Sequence, residues 1–277
     1  MPGDAPLPDD APLPNDAPLT ETILQRRDAD GVAWLMLNRP RARNALTMAL
    51  MQALDAELAA IADDAAVRVV VIGGAGPAFC AGHDLRELRA EPGRAGYQAV
   101  FAQCSTLMQR IVGLPKPVIA RVHGVATAAG CQLVASCDLA VAADTARFAT
   151  PGVDIGLFCS TPMVAVSRAV GRKAAMEMLL TGDMVDAARA RELGLVNQVV
   201  PEAGLDAAVA ALAGRIAGKS PLTLAIGKTA FYRQAEMPLH EAYAYASEVM
   251  VRNMLARDAA EGIDAFLARR DPVWTGT

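Results

Sequence analysis

Residues 115–162, PKPVIARVHGVATAAGCQLVASCDLAVAADTARFATPGVDIGLFCSTP, constrain the fold more than any other stretch of the chain. They read as an apolar strand, a small-residue turn into a helix, a second strand, and a Pro-Gly turn into another helix. Strands and helices alternating at this spacing predict an α/β architecture. The same pattern puts a helix start at Thr127 to Gly130. The first turn of a helix has unpaired N–H groups that can hold a polarised oxygen.

Composition narrows the function classes. At 277 residues with 53% hydrophobic content, the chain can bury a substantial core. The net charge of −4 offers no basic footprint for nucleic acid. The longest apolar runs, such as Val67 to Ile72, are strand-sized, far below the roughly 20 residues of a membrane helix. Five cysteines without framework spacing point to free thiols in a reducing compartment. Cys80 with His83, or Cys131 with Cys137, could begin a metal site, but no second pair at ligand spacing completes one. Residues 1–20 repeat an acidic Asp-Ala-Pro-Leu unit without Lys or Arg. That composition predicts a disordered tail rather than a signal or transit peptide, and hence a cytoplasmic protein.

Along the chain, Thr22 to Arg26 and Val32 to Leu37 read as a hairpin around Asp30-Gly31. Thr47 caps a helix to about Ile61, followed by a β-branched strand from Val67 to Ile72. Helices are expected from Asp84 and over 97–112, then strand 118–122, helix 128–136 and strand 138–143. Helices near 161–170, 172–180 and 186–193 precede a short strand from Leu195 to Val200. Helical periodicity then runs through 202–270. The expected organisation is a tail (1–20), a core (21–201) and a helical segment (202–277) that packs on a neighbouring subunit or covers its own domain. Gly74-Ala-Gly76 has Phe79 where the third glycine of a dinucleotide fingerprint would stand, which argues against a nicotinamide or flavin cofactor.

Two turns into helices, Phe79-Cys-Ala-Gly-His83 and Thr127-Ala-Ala129-Gly-Cys-Gln132, could each present a free N–H to one carbonyl oxygen; packing alone would also explain them. Here the chain resembles the crotonase (enoyl-CoA hydratase/isomerase) superfamily from about Thr22 to Trp274. The resemblance rests on RPRARNAL (39–46), VRVVVIGGAGPAFCAGHDL (67–85), PKPVIARVHGVATAAGCQL (115–133), CDLAVAADTARFATP (137–151) and AVGRKAAMEMLLTGDMVDAARARELGLVNQVVP (169–201). It implies a spiral of strand–strand–helix repeats, trimers often paired as hexamers, and an acyl-CoA thioester as substrate. Coenzyme A would then be part of the substrate, with no separate cofactor. It also implies oxyanion donors at the N–H groups of His83 and Ala129, and a CoA site along Arg43 to Ala45 and along His83, Asp84, Leu85 and Arg86. Arg43 is equally readable as a plain surface charge.

The resemblance also exposes a departure. Hydratases of the family carry one glutamate just after the second turn and another 20 residues later; this sequence has Gln132 and Gly152 there. Neither can move a proton, and acid–base catalysis contributes ~10²–10⁴-fold, so ordinary hydration is expected to be lost. His83 could titrate near neutrality and substitute, or its ring could turn outward and bond locally. Ser160 and Cys159 match positions where some family members place an aspartate; a helix cap and core packing are the plainer readings. Three functions follow: enolate chemistry other than hydration on an acyl-CoA, silent acyl-CoA binding, or a hydratase with relocated bases.

Overall fold

A computed structural model describes residues 22–277, so the expected tail at 1–20 lies outside the described residues. The strands are β1 (Leu24–Ala29), β2 (Val32–Leu37), β3 (Val69–Gly74), β4 (Ala78–Cys80), β5 (Val118–Val122), β6 (Val125–Thr127), β7 (Leu139–Ala143), β8 (Arg147–Ala149), β9 (Val185–Asp186) and β10 (Gln198–Val200). The helices of the first part are α1 (Met48–Asp63), α2 (Leu85–Ala90), α3 (Arg94–Gly113), α4 (Ala129–Ser136), α5 (Pro162–Ala169), α6 (Arg172–Thr181) and α7 (Ala187–Leu193). Beyond them lie α8 (Leu205–Ala217), α9 (Pro221–Gln234), α10 (Leu239–Met254) and α11 (Arg257–Ala268).

The strands form two sheets. Six pair in the order β1-β2-β3-β5-β7-β10 and four in the order β4-β6-β8-β9. The expected β1–β2 hairpin is antiparallel, while β2, β3, β5, β7 and β10 run parallel. In three successive repeats the first strand (β3, β5, β7) enters the large sheet and the second (β4, β6, β8) enters the small one. Each repeat then feeds a helix, which generates the spiral expected of a crotonase-like α/β fold. The four strands of the small sheet are absent from the sequence reading. They are two or three residues long, and their pairing across the repeats defines them rather than any local periodicity. The strand expected at 195–200 likewise shrinks to 198–200.

The all-apolar β3 is explained by burial on both faces. Val70 and Ile72 face Leu54, Leu58, Leu107 and Ile111 of α1 and α3, whereas Val69 and Val71 face Leu205, Val209 and Ala213 of α8. Thr47 caps α1 as expected, its hydroxyl accepting from Leu50 N at 3.2 Å. Asp138, between α4 and β7, anchors α9: its carboxylate accepts from Lys228 Nζ (2.7 Å), the Tyr232 hydroxyl (2.9 Å) and Val118 N (2.7 Å). Large side chains stay exposed on α10 and α11 (Tyr243, Leu255, Phe266) and around α5 and α6 (Leu157, Val164, Leu180).

Candidate active site

Two loops far apart in sequence are strapped together. Leu46 N donates to Gly82 O (2.7 Å), Asp84 N to Leu46 O (3.0 Å), and Ala81 N to Arg43 O (3.0 Å). Because this pairing uses the residues on either side of His83, the His83 N–H points away from Leu46. Arg39 reinforces the strap, bonding Ala45 O and pairing with Asp84 at 3.0 Å. Asp84 also caps α2 through Arg86 N at 3.1 Å. Buried Asn44 spans the interior, donating to Ala75 O (2.9 Å) and Ala78 O (2.8 Å).

The start of α4 abuts this strap. A Cβ on Gly82 would lie 3.4 Å from the Ala129 nitrogen and 2.9 Å from Ala128 Cβ, and its φ of +97° also requires glycine. Gly130 sits so close to β4 that a Cβ would lie 2.1 Å from Cys80 O. Ala128 adopts φ 49°, ψ −118°, a strained conformation for alanine that turns the chain into the helix. Neither the His83 N–H nor the Ala129 N–H has a hydrogen-bond partner among the described residues. Two free donors thus lie on neighbouring peptide units.

The side chains around them are nearly all neutral. The His83 ring packs edge-on against Phe101 of α3 at 5.4 Å, and its Nε2 is buried without a partner. The outward-turned ring weighed from sequence is therefore not what forms. Burial pushes the His83 imidazole down to about 4, so titration near neutrality is also corrected. One turn along α3, the Cys104 thiol donates to Gln132 Oε1 at 3.7 Å. Gln132 is only 4% exposed. Its Nε2 has no partner among the described residues, yet is not sealed from solvent as His83 Nε2 is.

Gly152 is buried in a short 3-10 turn, its carbonyl accepting from Leu157 N at 2.8 Å and the Cys159 sulfur packed against it. Cys159 packs inward, as expected from the plainer reading. Burial raises its thiol and pushes those of Cys80, Cys104 and Cys131 up to about 12, so all four remain protonated at neutral pH. Ser160 is exposed and donates to Phe158 O at 3.3 Å. The cap expected of it does not form; Thr161 precedes α5, with no side-chain cap. Asp154, the nearest carboxylate downstream of Gly152, is exposed. Arg43, Leu85 and Arg86 are also exposed, on the outer side of the strap, and the two arginines form no ion pair among the described residues.

Sequence reasoning missed Arg39, Asn44, Phe101 and Cys104. Arg39 and Asn44 belong to a quoted motif, but Asp84, Ala75 and Ala78, which tie them to other segments, are more than 30 residues away. Phe101 and Cys104 recur at helical spacing, the only local signal that they share a face.

A parallel-sheet spiral with two helix-entry loops brought together defines a crotonase-type protein. The sequence profile of the family described as enoyl-CoA hydratase/isomerase matches residues 27–277, and the chain belongs to that family. It is 49% identical over 254 residues to the enoyl-CoA hydratase domain-containing protein 3, mitochondrial, of Xenopus laevis, covering 92% of this chain and 86% of that one. The human protein of the same description is 48% identical over 249 residues, covering 90% and 82%. A crystal structure of an enoyl-CoA hydratase from Mycobacterium smegmatis superposes with a TM-score of 0.90 at 54% identity, covering 92% of this chain and 99% of that one. The crystal structure of the human domain-containing protein 3 gives 0.89 at 47%, covering 91% and 100%. These relatives correct the cytoplasmic expectation, because those from frog, rat and human are mitochondrial by name. Free thiols indicate only a reducing environment, which more than one compartment provides.

Proposed function

We propose that this protein binds an acyl-CoA thioester, polarises its carbonyl with the N–H groups of His83 and Ala129, and stabilises the resulting enolate. The adjacency of these two unpartnered donors is the observation that carries the reading. Fixed donors aimed at a developing oxyanion are worth about 3 kcal/mol each. Arg43 and Arg86 flank the strap and meet the CoA phosphates, while Ala45, Asp84 and Leu85 shape the entry. Coenzyme A enters as part of the substrate. The buried His83 ring, packed on Phe101 and held neutral by desolvation, stays beside the donors without taking up a proton near neutral pH.

Rapid hydration is not part of this reading, because no carboxylate stands at 132 or 152. Isomerisation, decarboxylation or thioester hydrolysis needs the same oxyanion donors with fewer acid–base groups. Silent acyl-CoA binding is the second reading; the crowding around Gly152 favours it. The exposed apolar faces of α5, α6, α10 and α11 are the contacts through which the chain assembles as a homotrimer or a homohexamer, with the helices after Pro201 as the assembling segment.

Incubation with a panel of acyl-CoA thioesters in deuterated water, followed by mass spectrometry, tests the proposal. Deuterium at Cα or a new product supports enolate chemistry. Unchanged thioesters alongside tight CoA binding would favour the silent reading, and absence of binding would overturn both.

A further inference from the structure

The two donor loops hang from a ladder that stops short of them. β4 and β6 pair in parallel through Ala78↔Val125 and Cys80↔Ala126, and the register already shifts between those pairs. Among the described residues, no backbone hydrogen bond joins 81–83 to 127–129. One side-chain bond continues the pairing: the Thr127 hydroxyl donates to Ala81 O at 3.1 Å. Ala81 lies two residues before His83, and Thr127 lies two residues before Ala129. The hydroxyl therefore ties the loops at matching distances from their free N–H groups.

Both ends of this tie are themselves held. Ala81 N donates to Arg43 O at 3.0 Å, so the hydroxyl meets a carbonyl that is already fixed. Thr127 pairs with Ala149 of β8, and Ala128 N donates to Ala149 O at 2.9 Å. Thr127 is only 7% exposed, so water competes little for its hydroxyl, and its β-branched side chain is stiff about χ1. The strained Ala128 conformation sets its methyl against Gly82, where an added Cβ would lie 2.9 Å away. The methyl limits how closely the loops approach, and the hydroxyl limits how far they part.

We infer that Thr127 is a positioning residue that sets the spacing between the His83 and Ala129 N–H groups, and through it their grip on the thioester carbonyl. This rests on the reading of those groups as oxyanion donors. Two donors serve one oxygen only when both lie about 2.7–3.1 Å from it, so a drift of part of an ångström weakens one of the two bonds. Backbone donors cannot correct such a drift by rotating a side chain. Their spacing has to be held by whatever cross-links the loops. Removing the hydroxyl leaves the strap between 43–46 and 81–84 in place, so the CoA entry is kept while the donor at α4 is released.

The test reads the carbonyl itself, by isotope-edited infrared spectroscopy of butyryl-CoA labelled with carbon-13 at the thioester carbon, alongside calorimetry with butyryl-CoA and free CoA. In the wild type, binding is expected to lower the carbonyl stretch. Thr127→Val keeps the shape and loses the donor. Its lowering is expected to shrink by about half, and butyryl-CoA to bind about fivefold more weakly, with free CoA unchanged. Thr127→Ser restores both readings; Thr127→Ala replaces the valine variant if that one melts early. A variant without the hydroxyl that keeps the wild-type stretch and affinity would overturn the role of Thr127 while leaving the donors intact. Equal weakening of free CoA and butyryl-CoA, or no recovery in the serine variant, would do the same. A wild type that binds butyryl-CoA without lowering the stretch, or that binds neither ligand, would overturn the oxyanion reading and this inference with it.

Discussion

Gly152 and Cys159 compete for one space: a Cβ on residue 152 would lie 2.8 Å from the Cys159 sulfur and 2.5 Å from Leu157 O. The glycine is therefore part of a closed turn, and restoring an acid here is a steric problem as well as a chemical one. Gly152→Glu, alone or with Gln132→Glu, is expected to leave crotonyl-CoA hydration undetectable and to destabilise the protein by about 1–3 kcal/mol. Urea unfolding and a hydration assay check both halves. A double variant that folds normally and hydrates crotonyl-CoA rapidly would contradict this packing.

The Arg39–Asp84 pair, with both side chains largely buried, joins the loop before α1 to the loop carrying His83. Arg39→Met removes both the ion pair and the bond to Ala45 O, leaving Asp84 with only its backbone partners. A loss of about 2 kcal/mol is expected. Arg39→Lys recovers little of it, since one ammonium cannot replace a two-armed guanidinium. Denaturant midpoints for the two variants and for Asp84→Asn separate the charge from the geometry.

His83 makes stability depend on pH. Its folded pKa of about 4 lies below the ordinary histidine value, so the unfolded chain takes up a proton first as pH falls. Its contribution is fully present above about pH 6.5 and is lost progressively toward pH 4, by up to about 3 kcal/mol. His123, also lowered mainly by burial, adds to the same window. Unfolding free energies measured between pH 4 and 7.5 are expected to fall less steeply in His83→Phe than in the wild type. An NMR titration placing the His83 midpoint near 6.5 would refute the burial argument.

Lys228 is spent on structure, donating to Ile111 O (2.8 Å), Lys116 O (3.0 Å) and Asp138. Lys228→Met leaves a shielded carboxylate short of its cation and is expected to cost about 3 kcal/mol. Tyr232→Phe removes one bond to the same carboxylate, for about 1 kcal/mol. Differential scanning calorimetry distinguishes the two, the lysine variant melting well below the tyrosine one.

The elements that sequence reasoning located are those with a local cause. The β-branched run at 69–72, the Thr47 cap and the leucine face of α1 each carry their signal within a few residues. That the two turns could offer free donors was legible from their place before helices, but the choice of 83 and 129 rested on the family resemblance, and the His83 N–H is left free by the Leu46 pairing rather than by a helix start. The small sheet was not legible, because β4, β6 and β8 exist only through register with one another. Nor was the state of His83, which depends on Phe101 and on burial rather than on its neighbours in the chain.

By itself the sequence determined the order of the helices and of the large-sheet strands, the family, and the absence of acids at 132 and 152, because each is a property of local pattern or residue identity. Only the tertiary structure decided that Gly152 has no room for a side chain, that Gln132 meets the Cys104 thiol, and that His83 is buried and neutral. Those are matters of space and desolvation, and both are set by atoms far away along the chain.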